Sequence, residues 1–265
     1  MDPFDRWERQ VWAGSGAAYA AGLARLCAFP VPRLLAASGV SAGDAALDVG
    51  TGTGAAAGGL RARGASVVAL DAEPDMAARA ADALRQAPVL VGALPELPFR
   101  SGVFDAAVAN FVVNHVARPG AALREMRRVV RTGGRFAATV WAAPPAAGQA
   151  LVGRALDEAG AGERPRLAER EEFARTEEGL RELSYAAGFS DVRCTTLRWT
   201  HRTTHAEWWG AQAAGVGSTG HALRAQPRAV QEEAQHAFVR LSRRFAAHGG
   251  ELALPHAAVL VSGRA

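Results

Sequence analysis

Lysine and isoleucine are absent from this chain, and asparagine occurs only at positions 110 and 114. Both missing residues have A/T-rich codons, so a GC-rich coding sequence accounts for the excess of Arg and Ala. The net charge of +4 therefore says little about partners. The basic residues are also interleaved with acids, as in Arg124-Glu125 and Glu163-Arg164, which argues against a nucleic-acid partner. Cysteine is scarce: Cys27 and Cys194 are isolated and lack metal spacing, so they read as two buried thiols rather than a disulfide. No uninterrupted apolar run reaches the ~18 residues of a membrane span, so no membrane partner is expected. Met1 to Glu8 shows no basic region followed by an apolar one, and a cytoplasmic protein without a signal peptide is the expectation.

What is present is an ordinary globular composition, 49% hydrophobic and 21% charged over 265 residues. That is enough chain for one large domain or one domain with a cap. Its centre is the stretch Ala46 to Gly54. An apolar run ends in Asp48, and glycines follow at 50, 52 and 54 before an Ala-rich segment. This reads as strand, tight loop and helix N-terminus. Glycine there lets a ligand approach main-chain N–H groups with no Cβ in the way. Asp48 would repel a pyrophosphate but favour a cationic amine or sulfonium. A second apolar strand, Val67 to Leu70, ends in Asp71, at the offset of an acid that accepts both ribose hydroxyls. The two acids describe a nucleoside with a positive tail, S-adenosylmethionine. An NAD-binding protein is the poorer reading, because of Asp48.

Asp48-x-Gly50-x-Gly52-x-Gly54 with Asp71 resembles the first two motifs of the class I S-adenosylmethionine-dependent methyltransferases, of the small-molecule type related to the ubiquinone and menaquinone enzymes. Gly92-Ala93-Leu94-Pro95-Glu96-Leu97-Pro98-Phe99 is similar to that family's Gly-Asp-Ala-Glu-x-Leu-Pro-Phe segment, with Ala93 and Leu94 replacing Asp and Ala. Phe104 to Val116 is similar to its Phe-Asp-x-Val…His-Val block, and Arg131 to Arg135 to its Pro-Gly-Gly turn, with Thr132 for Pro. The resemblance covers residues 15 to 141. It implies an α/β fold: a Rossmann-like seven-stranded sheet, mostly parallel with the last strand antiparallel, helices on both faces and a helical cap. It also implies S-adenosylmethionine as cofactor and S-adenosylhomocysteine as product. The expected reaction is methyl transfer to O, N or C of a largely apolar small molecule of secondary metabolism. The scaffold also hosts cyclising enzymes that bind the cofactor without methyl transfer, and RNA methyltransferases; both stay open.

The chain reads as a single domain, residues 1–265, monomeric or homodimeric. Residues 1–40 form an N-terminal helical lid and 200–250 a helical substrate cap. Helices are expected over 55–64, 75–86, 119–131, 177–187 and 228–247. Strands are expected at 66–70, 88–91, 104–110, 136–141, 192–199 and 257–262, and 142–176 reads as a loop plus a helix.

The cofactor is expected to meet Asp48, Gly50, Thr51 and Gly52, then Asp71, Ala72 and Met76, then the backbone of Ala93 and Leu94, and finally Asn110 and Phe111. By resemblance Tyr19 closes over it; the alternative is a Tyr on an apolar helix face with its hydroxyl at the surface. Met76 against the adenine has core packing as its alternative. Methyl transfer needs alignment and desolvation, and a proton acceptor only when the nucleophile is protonated. His115 is the candidate base, against a structural His that bonds backbone. Asn114, Trp141, His201, Trp208 and Trp209 are the candidate substrate contacts, with core packing as the alternative for the tryptophans. His201, His205 and His221 lack Asp or Cys partners at metal spacing, so no metal is expected.

Overall fold

The computed structural model describes residues 2–162 and 172–265. Four short helices come first: α1 (Pro3–Trp12), α2 (Gly16–Ala21), α3 (Ala24–Ala28) and α4 (Val31–Ser38). Asp2 caps α1 by accepting the Phe4 N–H at 2.9 Å, and Pro3 occupies the first turn, where its missing N–H costs nothing.

The alternating part follows: β1 (Ala45–Val49), α5 (Ala55–Ala62), β2 (Ser66–Asp71), α6 (Pro74–Leu84), β3 (Val89–Val91) and β4 (Phe104–Asn110). A 3₁₀ turn at Val113–His115 leads to α7 (Pro119–Val129) and β5 (Val130–Trp141). Then come α8 (Leu151–Glu158), α9 (Glu177–Ala186) and β6 (Ser190–Thr204). The helices α10 (His205–Ala213), α11 (Gly217–Arg224) and α12 (Arg228–Ser242) precede β7 (Glu251–Arg264).

The seven strands form one sheet in the order β3-β2-β1-β4-β5-β7-β6. β7 runs antiparallel to both its neighbours, and the other pairs are parallel. The fold is therefore the expected Rossmann-like sheet with the last strand reversed. One face is covered by α4, α5 and α6 through Leu34, Leu35, Leu60 and Leu84. The other is covered by α7 and α9 through Leu123, Met126 and Leu180. Each such fully buried side chain stabilises the fold by about 1.5–3 kcal/mol relative to exposure. The strand order reverses between β1 and β4, so the crevice beyond their carboxyl ends is where this architecture places a ligand.

Two boundaries differ from expectation. After a register shift between Ser190 and Arg193, β6 and β7 pair without a break from Arg193↔Ser262 to Thr204↔Glu251, so the hairpin projects past β5, which ends at Trp141↔Ala258. His201 thus belongs to β6 and not to the cap, whose helices begin at His205. The alternation is real, with Trp199, His201 and Thr203 buried and Thr200 and Arg202 exposed. Polar residues at the inward positions hid it. Second, β5 starts at Val130: residues 131–134 bulge out between the Phe104↔Val130 and Ala106↔Arg135 pairs, which is where the Gly-Gly turn was expected. Of the helix expected within 142–176, α8 is described, and positions 163–171 lie outside the described residues.

Candidate active site

The glycine loop is built by geometry that only glycine satisfies. Gly50 has φ +65°, and a Cβ there would lie 2.4 Å from Cγ2 of Val112. The loop is braced from below by Asp48, which is 0% exposed. Its Oδ2 accepts from the Thr51 hydroxyl at 2.7 Å and the Ala57 N–H at 2.9 Å, so one carboxylate ties β1 to the first turn of α5. Its Oδ1 has no hydrogen-bond partner among the described residues. Burial raises its pKa to about 7, partly offset by the Thr51 and Ala57 bonds. Asp71 stands at the end of β2 and lines the main cleft. Its oxygens accept the N–H groups of Gly52 at 2.8 Å and Glu73 at 2.9 Å. Burial is also the leading cause of its raised pKa.

At the exit of β4 the side-chain amide of Asn110 is tied to protein through both its nitrogen and its oxygen. Its Nδ2 donates to the Cys27 carbonyl at 2.8 Å, and its Oδ1 accepts from the Thr139 hydroxyl at 2.7 Å. The Thr139 hydroxyl in turn accepts the Phe111 N–H at 3.0 Å. Phe111 itself sits at φ +59°, a strained conformation for a bulky residue, and stacks on Trp141 with ring centroids 3.9 Å apart. Tyr19 packs beside Gly52 and lines the main cleft, and burial, with Cys27 adding to it, raises its pKa well above the ordinary value. Cys27 is itself pushed up to about 11 by burial, as is Cys194, which disfavours the thiolate form of both.

These elements enclose a cleft of about 1330 Å³. Gly50, Gly52, Asp71, Ala72, Met76, Ala93 and Leu94 line it, together with Asn110, Phe111, Asn114, His115 and Trp141. The helix α1 lies across it and contributes Phe4, Trp7, Glu8 and Trp12 to the wall. It is seated by carboxylates on both sides. Asp5 accepts the Ala117 N–H at 2.7 Å, and Glu8 meets Nδ1 of His115 at 3.0 Å. Beyond its end, Glu73 accepts the Gly14 N–H at 3.1 Å and Asp75 the Gly16 N–H at 2.8 Å.

Of the expected site residues, Asp48 and Thr51 stand behind the loop, lining a smaller cavity of about 240 Å³ with Gly50 and Gly52. His201, Trp208 and Trp209 are not among the residues that line the main cleft. Trp208 joins Trp199, Phe238, Leu252 and Leu254 in a core cluster between the β6–β7 arm and the cap, and Trp209 packs on it. His201 is buried beside Trp208 with its pKa lowered by burial. His205 bonds the Ser242 hydroxyl and His221 meets Trp7 edge-on. Among the described residues no three His, Cys, Asp or Glu side chains converge on a common point.

Several site residues escaped sequence reasoning. Glu8 is one: it stands at i, i+4 spacing from Trp12 on α1, which marks one face but not what it meets. Gln149 and Gln212 line the cleft, and their Oε1 atoms, like Oδ1 of Asn114, have no hydrogen-bond partner among the described residues. Nothing in sequence spacing joins these three.

Comparison with known proteins agrees with this geometry. Residues 47–138 match the methyltransferase domain family. The demethylmenaquinone methyltransferase of Mycolicibacterium paratuberculosis is 39% identical over 108 residues, 41% of this chain and 46% of that protein. The chain thus spans under half the length of the curated relatives it matches. The [4+2]-cyclase SpnF has a similar fold, with TM-score 0.55 and 17% identity over 88% of this chain and 80% of that one. So does a phosphoethanolamine N-methyltransferase of Haemonchus contortus solved with S-adenosylhomocysteine, with TM-score 0.52 and 15% identity over 88% and 52% of the two chains. No helix among the described residues is long and apolar enough to cross a membrane.

The Gly50–Gly52 loop and the Asp71 carboxylate line one cleft, an arrangement that fits S-adenosylmethionine, and Val112 packs against Gly50 where a Cβ would stand.

Proposed function

We propose that this protein transfers the methyl group of S-adenosylmethionine to a small-molecule acceptor held in the cleft beneath α1. The observation that carries the reading is the pairing of the Gly50–Gly52 loop with Asp71, both opening into one cleft of about 1330 Å³. That volume exceeds what a single nucleoside needs and leaves room for a second molecule. When bound, S-adenosylmethionine supplies an electrophilic methyl group on a sulfonium. The chain's own residues then bind, orient and exclude water.

In this reading Asp71 takes the ribose hydroxyls, with Ala72 beside it. Met76, Ala93 and Leu94 surround the adenine, and Tyr19 covers the loop. Asp48 and Asn110 act by bracing the loop and the exit of β4, Asp48 through Thr51 and Ala57 and Asn110 through Cys27 and Thr139. Phe111 and Trp141 form an aromatic floor between cofactor and acceptor. Residues 1–40 act as a lid and the α10–α12 segment as a cap. The acceptor has an apolar or aromatic body, matched to Trp7, Trp12 and Trp141. It also carries polar groups, matched to Asn114, Gln149 and Gln212.

Calorimetry with S-adenosylhomocysteine, with NAD as control, tests this. Micromolar binding of the first alone is expected; binding of NAD alone overturns it.

A further inference from the structure

His115 does not stand alone in the cleft. Glu8, on α1, is 6% exposed, and a single oxygen of it, Oε2, meets two side chains. It accepts the indole N–H of Trp12 at 2.9 Å and lies 3.0 Å from Nδ1 of His115. The Trp12 ring stands edge-on to the imidazole, with centroids 5.4 Å apart and planes at 90°. The three side chains therefore form one assembly that joins the N-terminal helix to the turn after β4.

The chemistry of the partners fixes the proton. A carboxylate is an acceptor only, so His115 must hold its proton on Nδ1 to make this bond. In the neutral ring the lone pair is then on Nε2. No partner for Nε2 exists among the described residues, and the His115 side chain is 24% exposed, in the cleft. An imidazole oriented by a buried carboxylate, with its other nitrogen turned to a ligand cavity, is arranged to take up a proton. The positive charge that results lies beside Glu8, where a charge-assisted hydrogen bond stabilises it.

We infer that Glu8 and His115 form a proton-accepting dyad assembled across the lid and the body, complete only when α1 is seated, and that the acceptor is therefore a protic one bearing O–H or N–H. The inference rests on the methyl-transfer reading. In the step, the acceptor's X–H bond breaks and its electron pair stays on X, which becomes the nucleophile. The proton passes to Nε2, His115 becomes imidazolium, and Glu8 remains a carboxylate. The proton leaves Nε2 to water once α1 unseats. Docking alone does not explain the arrangement. Asp5, Glu73 and Asp75 already seat this segment through backbone N–H groups, with no imidazole needed. His115 is the catalytic residue here and Glu8 the positioning residue.

Long-range ¹H–¹⁵N spectra of the imidazoles in the full labelled chain test the dyad, recorded about two pH units above the ordinary histidine value. His115 is assigned with His115→Phe. In the wild type, the Nδ1-protonated, Nε2-bare tautomer is expected. Glu8→Ala, and Glu8→Met, which keeps the volume but cannot accept, shift the ring toward the Nε2-protonated form. Diethyl pyrocarbonate, which attacks a bare imidazole nitrogen, modifies His115 of the wild type. A wild-type ring protonated on Nε2 overturns the inference. So does an unchanged tautomer in a folded Glu8 variant, or a His115 that resists the reagent while the exposed His236 reacts. None of these readouts needs the cofactor. A protein with the dyad signature that fails to bind S-adenosylhomocysteine keeps the dyad and loses the methyl-transfer reading.

Discussion

The carboxylate of Asp71 accepts the N–H of Gly52 at 2.8 Å, so the end of β2 holds the middle of the glycine loop. Its other oxygen holds Glu73 N–H at 2.9 Å. The residue that would take the ribose therefore also shapes the surface beneath it. Asp71→Ala should weaken S-adenosylhomocysteine binding by about 1–3 kcal/mol, from the loss of charge-assisted hydrogen bonds. Calorimetry reads this directly. Affinity equal to wild type would remove Asp71 from the ribose.

Two glycine-to-alanine changes should act in opposite directions. At Gly50 the new methyl meets Val112 at 2.4 Å on a backbone held at φ +65°. Gly50→Ala should cost about 1–3 kcal/mol and lower Tm. Gly58 is inside α5, where φ is helical and a Cβ would meet nothing closer than Leu84 Cδ2 at 3.8 Å. Gly58→Ala should stabilise by about 0.5–1 kcal/mol, because Ala loses less backbone freedom in a helix. Thermal unfolding of the two variants side by side checks both signs.

The contrast shows what the sequence made legible. The glycine loop with its two flanking acids followed from short-range pattern, because it rests on residues within one βαβ unit, whereas the seven-stranded sheet followed from the family resemblance. His115 was legible as a candidate, but Glu8, which is 107 positions away, was not. The Asn110–Cys27 bond spans 83 positions and was equally hidden. Such pairs depend on how α1 and α3 fold back over the sheet, which no local period encodes. Trp208 and Trp209 were read with two alternatives for the converse reason. Aromatic residues in an insertion look alike whether they wall a ligand cavity or fill the core beside a long hairpin. The length of that hairpin was hidden by His201 and Thr203 at inward positions.

His256 makes the β6–β7 arm acid-sensitive. It is 2% exposed, its Nδ1 donates to the Leu254 carbonyl at 2.9 Å, and its ring lies among Trp141, Trp199, Trp208 and His201. Burial, with His201 adding to it, lowers its pKa from 6.5 to about 4. A histidine depressed in the folded state binds its proton more readily when unfolded. Stability is thus full above the unfolded value and lost as pH falls from 6.5 toward 4, by about 3 kcal/mol for this group. Denaturant unfolding across that window should show the loss, and His256→Phe should flatten it. An equal slope in the variant would assign the acid sensitivity elsewhere.

Asp48 should tilt stability the other way. Its carboxyl is held in the folded state at about 7 against an ordinary value of 3.8, chiefly by burial, with Asp71 adding to it and the Thr51 and Ala57 bonds opposing. A raised acid binds its proton more readily when folded. Its contribution is therefore fully present below about pH 4 and is lost as pH rises through about 7, an effect on the order of 4 kcal/mol. Asp48→Asn keeps an oxygen to accept from Thr51 and Ala57 but cannot ionise. The difference in unfolding free energy between variant and wild type should therefore move in favour of Asn between pH 4 and pH 8. Taking that difference at each pH cancels the slope from His256 and every other group the two proteins share. A difference that stays constant across the range would mean that Asp48 is ionised at low cost, and the loop would then owe its shape to a charged brace rather than a neutral one.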